Sequence, residues 1–216
     1  MKKSFDYIIA GGGSAGCTLA SRLCENKDIK VLLIEAGGSG KSLFTQMPGG
    51  NGYIFGNPKF DWGFESVPQP RLNNRKILYP RGKGLGGSSL LNGMIYMRGA
   101  SGDFNRWRQK GLKGWSYDDV LPYFKKSASA YHRKEGKYHS HSGPLKLSPA
   151  GNYNEIDEAF ISACVEAGSK INNDFYNESL NGVGRYDVKV WNGKRQSSAE
   201  AYLKFKPKNL TIYKNT

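Results

Sequence analysis

The 216 residues include 28 glycines, 9 prolines and 38% hydrophobic side chains. That suits one domain of ordinary size with a small second one, and excludes a peptide or a large multidomain assembly. Lys and Arg number 32 against 18 Asp and Glu, a net charge of +14, yet the cations are scattered. The clusters at Lys204, Lys206, Lys208 and Lys214, and at Arg75 and Lys76, form no single basic stripe with interleaved stacking aromatics, so no nucleic-acid partner is expected. No apolar run approaches the ~18 to 20 residues of a membrane span, which leaves only peripheral membrane association open. Cys17, Cys24 and Cys164 cannot all pair, and Met1 to Asp6 is short and polar without the apolar core of a signal peptide. A reducing, cytoplasmic setting is expected.

Along the chain, Tyr7, Ile8, Ile9 and Ala10 form a continuous apolar run, which predicts a strand buried on both faces of a parallel sheet. A glycine run follows, and then Leu19, Ala20, Leu23 and Cys24 recur as one face of a helix. Val31, Leu32, Leu33 and Ile34 predict a second buried strand ending at Glu35, so the unit is a βαβ crossover. The hexapeptide Gly11-Gly12-Gly13-Ser14-Ala15-Gly16 fits G-x-G-x-x-G. Gly11 permits the tight turn, Gly13 lets backbone approach a pyrophosphate, and Gly16 lets helix and strand pack closely. The helix then turns its unpaired N–H groups toward the phosphates. Glu35 can accept hydrogen bonds from a ribose diol and would repel a 2′-phosphate, which disfavours NADP. An α/β, Rossmann-like dinucleotide-binding domain is the expected fold.

From Ser39 to Pro80 the periodicity fails, but Phe44, Met47, Phe55, Phe60, Trp62 and Phe64 predict an ordered, aromatic-anchored extension rather than a disordered linker. Arg81 to Gly93 is a second glycine-rich segment, either a flexible loop or a second cofactor contact made by backbone amides, Ser88 and Asn92. It is not a P-loop, since the Lys-Ser/Thr pair is missing. Ser116 with Asp119 and Asn154 with Asp157 predict capped helices, the first kinked by Pro122, the second closed by Gly168. Tyr131 to Ser148 reads as a surface loop holding His132, His139 and His141 in solvent, with no metal-ligand spacing. Asp187 to Trp191 alternates like a strand, Asn192-Gly193 signals a type I′ turn, Ser197 to Leu203 a short helix, and Leu210 to Tyr213 another strand. Cys17 and Cys24 read as packing residues.

The stretch Gly82 to Asn105, GKGLGGSSLLNGMIYMRGASGDFN, resembles throughout the first signature of the glucose-methanol-choline (GMC) oxidoreductases, a family of flavoenzymes. FDYIIAGGGSAG at Phe5, IEAGG at Ile34, Gln46-Met47-Pro48, Phe60-Asp61-Trp62, WSYDDVLPYFKK at Trp115 and the segment from Gly193 to Leu203 look like its choline and alcohol dehydrogenase branch. The resemblance implies FAD, hydride transfer from the CH–OH carbon of a small-molecule alcohol to flavin N5, and the amino-terminal portion of a longer family member. It divides the chain into an FAD-binding core over 1–105 and, over 106–216, segments shared with the beginning of an incomplete α+β substrate domain. It also implies that Gly11, Gly13, Ser14, Ala15 and Gly16 contact the pyrophosphate, Glu35 the adenosine ribose, and Ser88, Asn92, Gly93 and Ile95 the flavin side. Leu91 stands where some choline oxidases carry a flavin-linked His, so non-covalent FAD is expected. No catalytic residue is expected within the chain, because the family's second signature and catalytic His match nothing here, and Arg98 and Arg106 read as structural. The electron acceptor is left open. A competing reading is a dinucleotide-binding module without catalysis, and a third is a basic protein binding nucleic acid or anionic lipid.

Overall fold

The computed structural model describes residues 4–151 and 154–216; residues 1–3 of the polar start lie outside them. The chain falls into two compact units, residues 1–94 with 192–216, and residues 95–191.

In the first unit, strand β1 (Tyr7–Ala10), helix α1 (Ser14–Leu23) and strand β2 (Val31–Glu35) form the expected crossover. The strand Leu210–Lys214 completes a three-stranded parallel sheet with β2 in the middle. Val31 faces Tyr7 on one side and Leu210 on the other, and the register runs without a break to Ile34. Ile9, Cys17, Ala20, Cys24, Val31, Leu33, Leu203 and Leu210 make the core, each buried aliphatic contributing roughly 1.5 to 3 kcal/mol. The two cysteines thus pack as expected, fully buried on the inner face of α1. Leu203 comes from the helix Ser198–Leu203, capped by the Ser197 hydroxyl, which accepts from Glu200 N. The Asn209 amide donates to the carbonyls of Ile29 (2.7 Å) and Asn26 (2.9 Å), fixing the last strand against the turn before β2.

One expectation is corrected here. β2 is buried on both faces, but β1 is not: Ile9 is buried while Ile8 is 65% exposed. A strand at a sheet edge has one neighbour, and an apolar run by itself does not distinguish edge from centre.

The segment after β2 is ordered by local devices. Ser42 and Thr45 form a reciprocal cap at Leu43–Gln46, and Phe64–Glu65 pairs antiparallel with Leu78–Tyr79. The buried Asp61 carboxylate accepts from the N–H groups of Gly56 (2.9 Å), Arg81 (2.9 Å) and Gly63 (3.1 Å). Burial pushes its pKa up, but the N–H groups of Gly56, Arg81, Gly63 and Trp62 outweigh it and hold the carboxyl below its ordinary value. The aromatics anchor less than expected. Phe60 is buried with Ile54 and Leu91, whereas Phe44 on Tyr53 and Trp62 on Phe64 stack in pairs on the surface.

The second unit holds the helices Ser101–Gln109, Tyr117–Ser127 and Glu155–Glu166, with a small core of Tyr96, Ala128, Ala130, Leu147 and Tyr176. Both predicted capping boxes are present, the helix from Tyr117 continues through Pro122, and Gly168 follows the last helix at φ +91°. The alternating segment is two short strands, Asp187–Val188 and Val190–Trp191, and the turn after it has positive φ at both Asn192 (+50°) and Gly193 (+70°), as type I′ requires.

The histidines also correct the sequence reading. His139 is buried, with Nε2 2.7 Å from Asp174; His132 lies 3.0 Å from the buried Asp187; and His141 Nε2 lies 2.8 Å from the Arg133 carbonyl. Arg133 closes a two-pronged pair on Asp187 at 2.7 and 3.0 Å. Burial opposes the Arg133 charge, yet the bonds to Asp187 and the field of Asp174 raise its pKa. Asp174 and Asp187 are far from the loop in sequence, so loop composition alone suggested solvent.

Candidate functional site: a double glycine cradle

The turn after β1 is built from close backbone contacts. Gly11 takes φ +99°, which favours glycine. A Cβ on Gly16 would stand 1.9 Å from the Gly11 carbonyl oxygen, whereas one on Gly13 would meet nothing nearer than the Gly87 Cα at 4.0 Å. Gly16 is therefore required by packing, and Gly13 leaves room for something else. Helix α1 opens at Gly13 with no side-chain cap and no acidic residue in its first turn. Its first internal bond runs from Cys17 N to Gly13 O at 3.0 Å, and among the described residues the N–H groups of Ser14, Ala15 and Gly16 meet no acceptor. Three unclaimed N–H groups at the positive end of a helix are of the kind that can hold an anion. The Cys17 thiol donates to the Gly12 carbonyl at 3.0 Å, and burial pushes its pKa up to about 11.

Glu35 is buried and accepts three backbone hydrogen bonds. Oε2 takes Gly12 N (2.7 Å), and Oε1 takes Gly37 N (2.8 Å) and Gly84 N (3.1 Å). A carboxylate offers about four lone-pair directions, so one is left for an outside donor such as a ribose hydroxyl. Its partners lie on three glycine-containing segments, and the third of these is the second glycine-rich stretch.

That stretch is an ordered wall of the first turn and not a flexible loop. Gly86 N donates to Gly12 O (2.8 Å) and Leu85 N to Gly38 O (3.0 Å). A Cβ on Gly87 would lie 2.7 Å from the Gly13 Cα, so the loops meet backbone to backbone. Within it, Gly87–Leu90 forms one 3₁₀ turn. The Ser88 hydroxyl accepts from Gly82 N (3.1 Å), and Asn92 N donates to Ser88 O (3.0 Å). Gly93 is exposed with open space at its Cα. Leu91 is buried between Ile54 and Phe60. Ile95 belongs to the second unit, where it bridges Val188 and is half-exposed.

The structure thus brings Gly11, Gly13, Ser14, Ala15 and Gly16 together with Glu35 and, through Gly84 to Gly87, the loop that carries Ser88 and Asn92. Two residues escaped the sequence reading. Gly84 is the Glu35 partner in the second loop, and the buried Ser89 hydroxyl donates to Gly86 O (2.5 Å) and accepts from Ser198 N (2.8 Å). The alternation of small residues marked the segment but not which of them bond across it.

The sequence profile of the GMC oxidoreductases matches residues 5–216. The chain belongs to the GMC oxidoreductase family. It is 44% identical over 207 residues to an oxygen-dependent choline dehydrogenase of Rhizobium etli (strain CIAT 652), covering 95% of this chain and 38% of that protein. A pyridoxine 4-oxidase from Mesorbium loti superposes with a TM-score of 0.91 at 32% identity, over 98% of this chain and 42% of that one. An FAD-dependent oxidoreductase from Chaetomium thermophilum superposes at 0.86 with 30% identity, over 97% and 38%. This GMC chain therefore spans about two fifths of the length of these relatives. An FAD pyrophosphate fits the residues present, because the three uncapped N–H groups of α1 lack an acceptor and Gly13 leaves the approach to them open.

Proposed function

We propose that this chain is the FAD-binding part of an oxidoreductase acting on the CH–OH group of an alcohol, choline-like or another primary alcohol. The observation that carries the reading is the pair of glycine loops joined through Glu35, with the N–H groups of Ser14, Ala15 and Gly16 unclaimed beside them. In this reading Gly11, Gly13, Ser14, Ala15 and Gly16 hold the pyrophosphate, and Glu35 gives its remaining lone pair to the adenosine ribose. Ser88, Asn92, Gly93 and Ile95 serve the flavin side. Bound FAD supplies the hydride acceptor, N5. Leu91 offers no atom for attachment and is buried against Ile54 and Phe60, which supports non-covalent FAD. No histidine here is assigned as the base: His132 and His139 are committed to Asp187 and Asp174, and His141 to a backbone carbonyl. Three unpaired cysteines support a reducing, cytoplasmic setting.

The test is to titrate the chain with FAD, follow quenching of flavin fluorescence, precipitate with acid, and add choline and simple aliphatic or aromatic alcohols anaerobically. The expected results are saturable binding, yellow colour released to the supernatant, and no bleaching at several turnovers per second from these residues alone. A base typically contributes about 10²- to 10⁴-fold to rate. Colour held by the pellet refutes non-covalent binding. Absence of FAD binding refutes the cofactor assignment, and rapid bleaching means that a base lies within this chain.

A further inference from the structure

Arg195 is one of 32 basic residues, and it is 2% exposed. No carboxylate of the described residues lies within salt-bridge distance of it. Removing a charge from water without an opposite partner costs several kcal/mol, so the acceptors that hold it matter. They are few. Nη1 donates to the Asn92 carbonyl (2.5 Å) and to Asn92 Oδ1 (3.3 Å), and Nη2 to Asn51 Oδ1 (2.5 Å). Nε is buried with no partner.

This arrangement determines which way the Asn92 carboxamide points. Asn92 Oδ1 receives a second hydrogen bond, from Met94 N at 3.1 Å. A guanidinium and a backbone N–H only donate, so the amide must turn its oxygen to both of them. The NH₂ group is thereby left facing elsewhere, and among the described residues it has no acceptor. A buried, carboxylate-free cation thus stands behind a loop whose free side-chain donor it has oriented.

We propose that Arg195 is a positioning residue for the flavin: it presents the Asn92 NH₂ as a donor and sets an uncompensated positive charge behind Asn92, so that the reduced ring is held more tightly than the oxidised one. The inference rests on the flavin reading above. Taking up a hydride, two electrons and a proton, gives the neutral oxidised ring one negative charge. A donor and a cation on that side favour the charged form.

The experiment measures the midpoint potential of FAD on the full chain by equilibration with reference dyes, for the wild type, Arg195→Met and Arg195→Lys. Arg195→Met is expected to lose at least tenfold of the preference for reduced flavin, a fall of about 30 mV for a two-electron couple. Arg195→Lys keeps the charge, but its donors all radiate from one nitrogen and cannot span the acceptors that Nη1 and Nη2 hold separately, and it is expected to lose about threefold. A Lys variant also holds the question open to measurement if the Met variant does not fold. An unchanged potential in either folded variant overturns the proposal, because a merely structural arginine would change stability and leave the potential alone. A wild-type chain that takes up no FAD overturns the flavin reading instead, a distinct result because no bound chromophore is then present to poise.

Discussion

Replacing Glu35 by Gln tests whether one carboxylate holds the glycine loops together. If the new amide nitrogen takes the place of Oε2, Gly12 N–H loses its acceptor. If it takes the place of Oε1, both Gly37 and Gly84 lose theirs. The cheaper choice leaves one buried N–H unpaired, about 1 to 3 kcal/mol. It also converts two charge-assisted bonds to neutral ones, about 1 kcal/mol each. The sum is roughly 3 to 5 kcal/mol, a large part of the 5 to 15 kcal/mol typical of a domain. With a urea dependence of ~1 to 3 kcal/mol per M, the unfolding midpoint of the chain without cofactor is expected to fall by at least about 1 M. Urea titration followed by circular dichroism checks this, with FAD affinity measured separately. A Glu35→Gln chain whose unfolding free energy lies within about 0.5 kcal/mol of the parent, yet which binds FAD poorly, would refute the reasoning and leave Glu35 a ligand contact only.

Three further outcomes are expected. Gly13→Ala finds open space and an ordinary φ of −75°, so it should fold with unchanged thermal stability and lose at least tenfold in FAD affinity. Gly16→Ala drives a Cβ into the Gly11 carbonyl and should lose stability as well; equal effects of the two in thermal melts and FAD titrations would contradict the division of roles. Arg133→Met leaves the buried Asp187 without its two-pronged partner and should destabilise the second unit by about 3 to 5 kcal/mol, seen as an earlier unfolding step, with Asp187→Asn in the same background recovering part of the loss. The Cys17 thiol has a folded pKa of about 11 against an ordinary 9.0, so its contribution to stability is fully present below pH 9 and is lost as pH rises toward 11. Urea midpoints at pH 8 and pH 10.5, compared between the parent and Cys17→Ala, measure that difference, and iodoacetamide at pH 8 should spare Cys17 in the folded chain.

What the sequence made legible was local. Tyr7 to Glu35 carries its periodicity, turn glycines and terminal acid within a few turns of chain, and the caps at Ser116 and Asn154 need only a residue three positions on. The remainder depends on partners distant in sequence. Glu35 was read as a ligand contact because its position at a strand end was visible, while its bond to Gly84, 49 residues later, was not. The histidine loop looked solvated because Asp174 and Asp187 lie outside it. Arg195 lies in the segment from Gly193 to Leu203 that resembles the family, but nothing in that segment told it from a surface cation, and its burial became visible only in the structure. The exposure of β1 was hidden for the opposite reason, since an apolar run reads the same whether its neighbours flank one side or two.

The bond from Gly84 N to Glu35 has a consequence for how much the chain between them can vary. Everything from Ala36 to Lys83 leaves from one end of a carboxylate-bound junction and returns to it. Its ends are fixed independently of its span, and closing a flexible loop of twice the length costs only about 0.6 kcal/mol more. The tip of this excursion, around Asn73 and Asn74, is exposed and already takes left-handed backbone at φ +54° and +56°. Extra residues spliced in at that tip would lengthen the outer rim of the unit while the glycine loops stayed in register, which makes it the place to graft a tag or a reporter without disturbing the cradle.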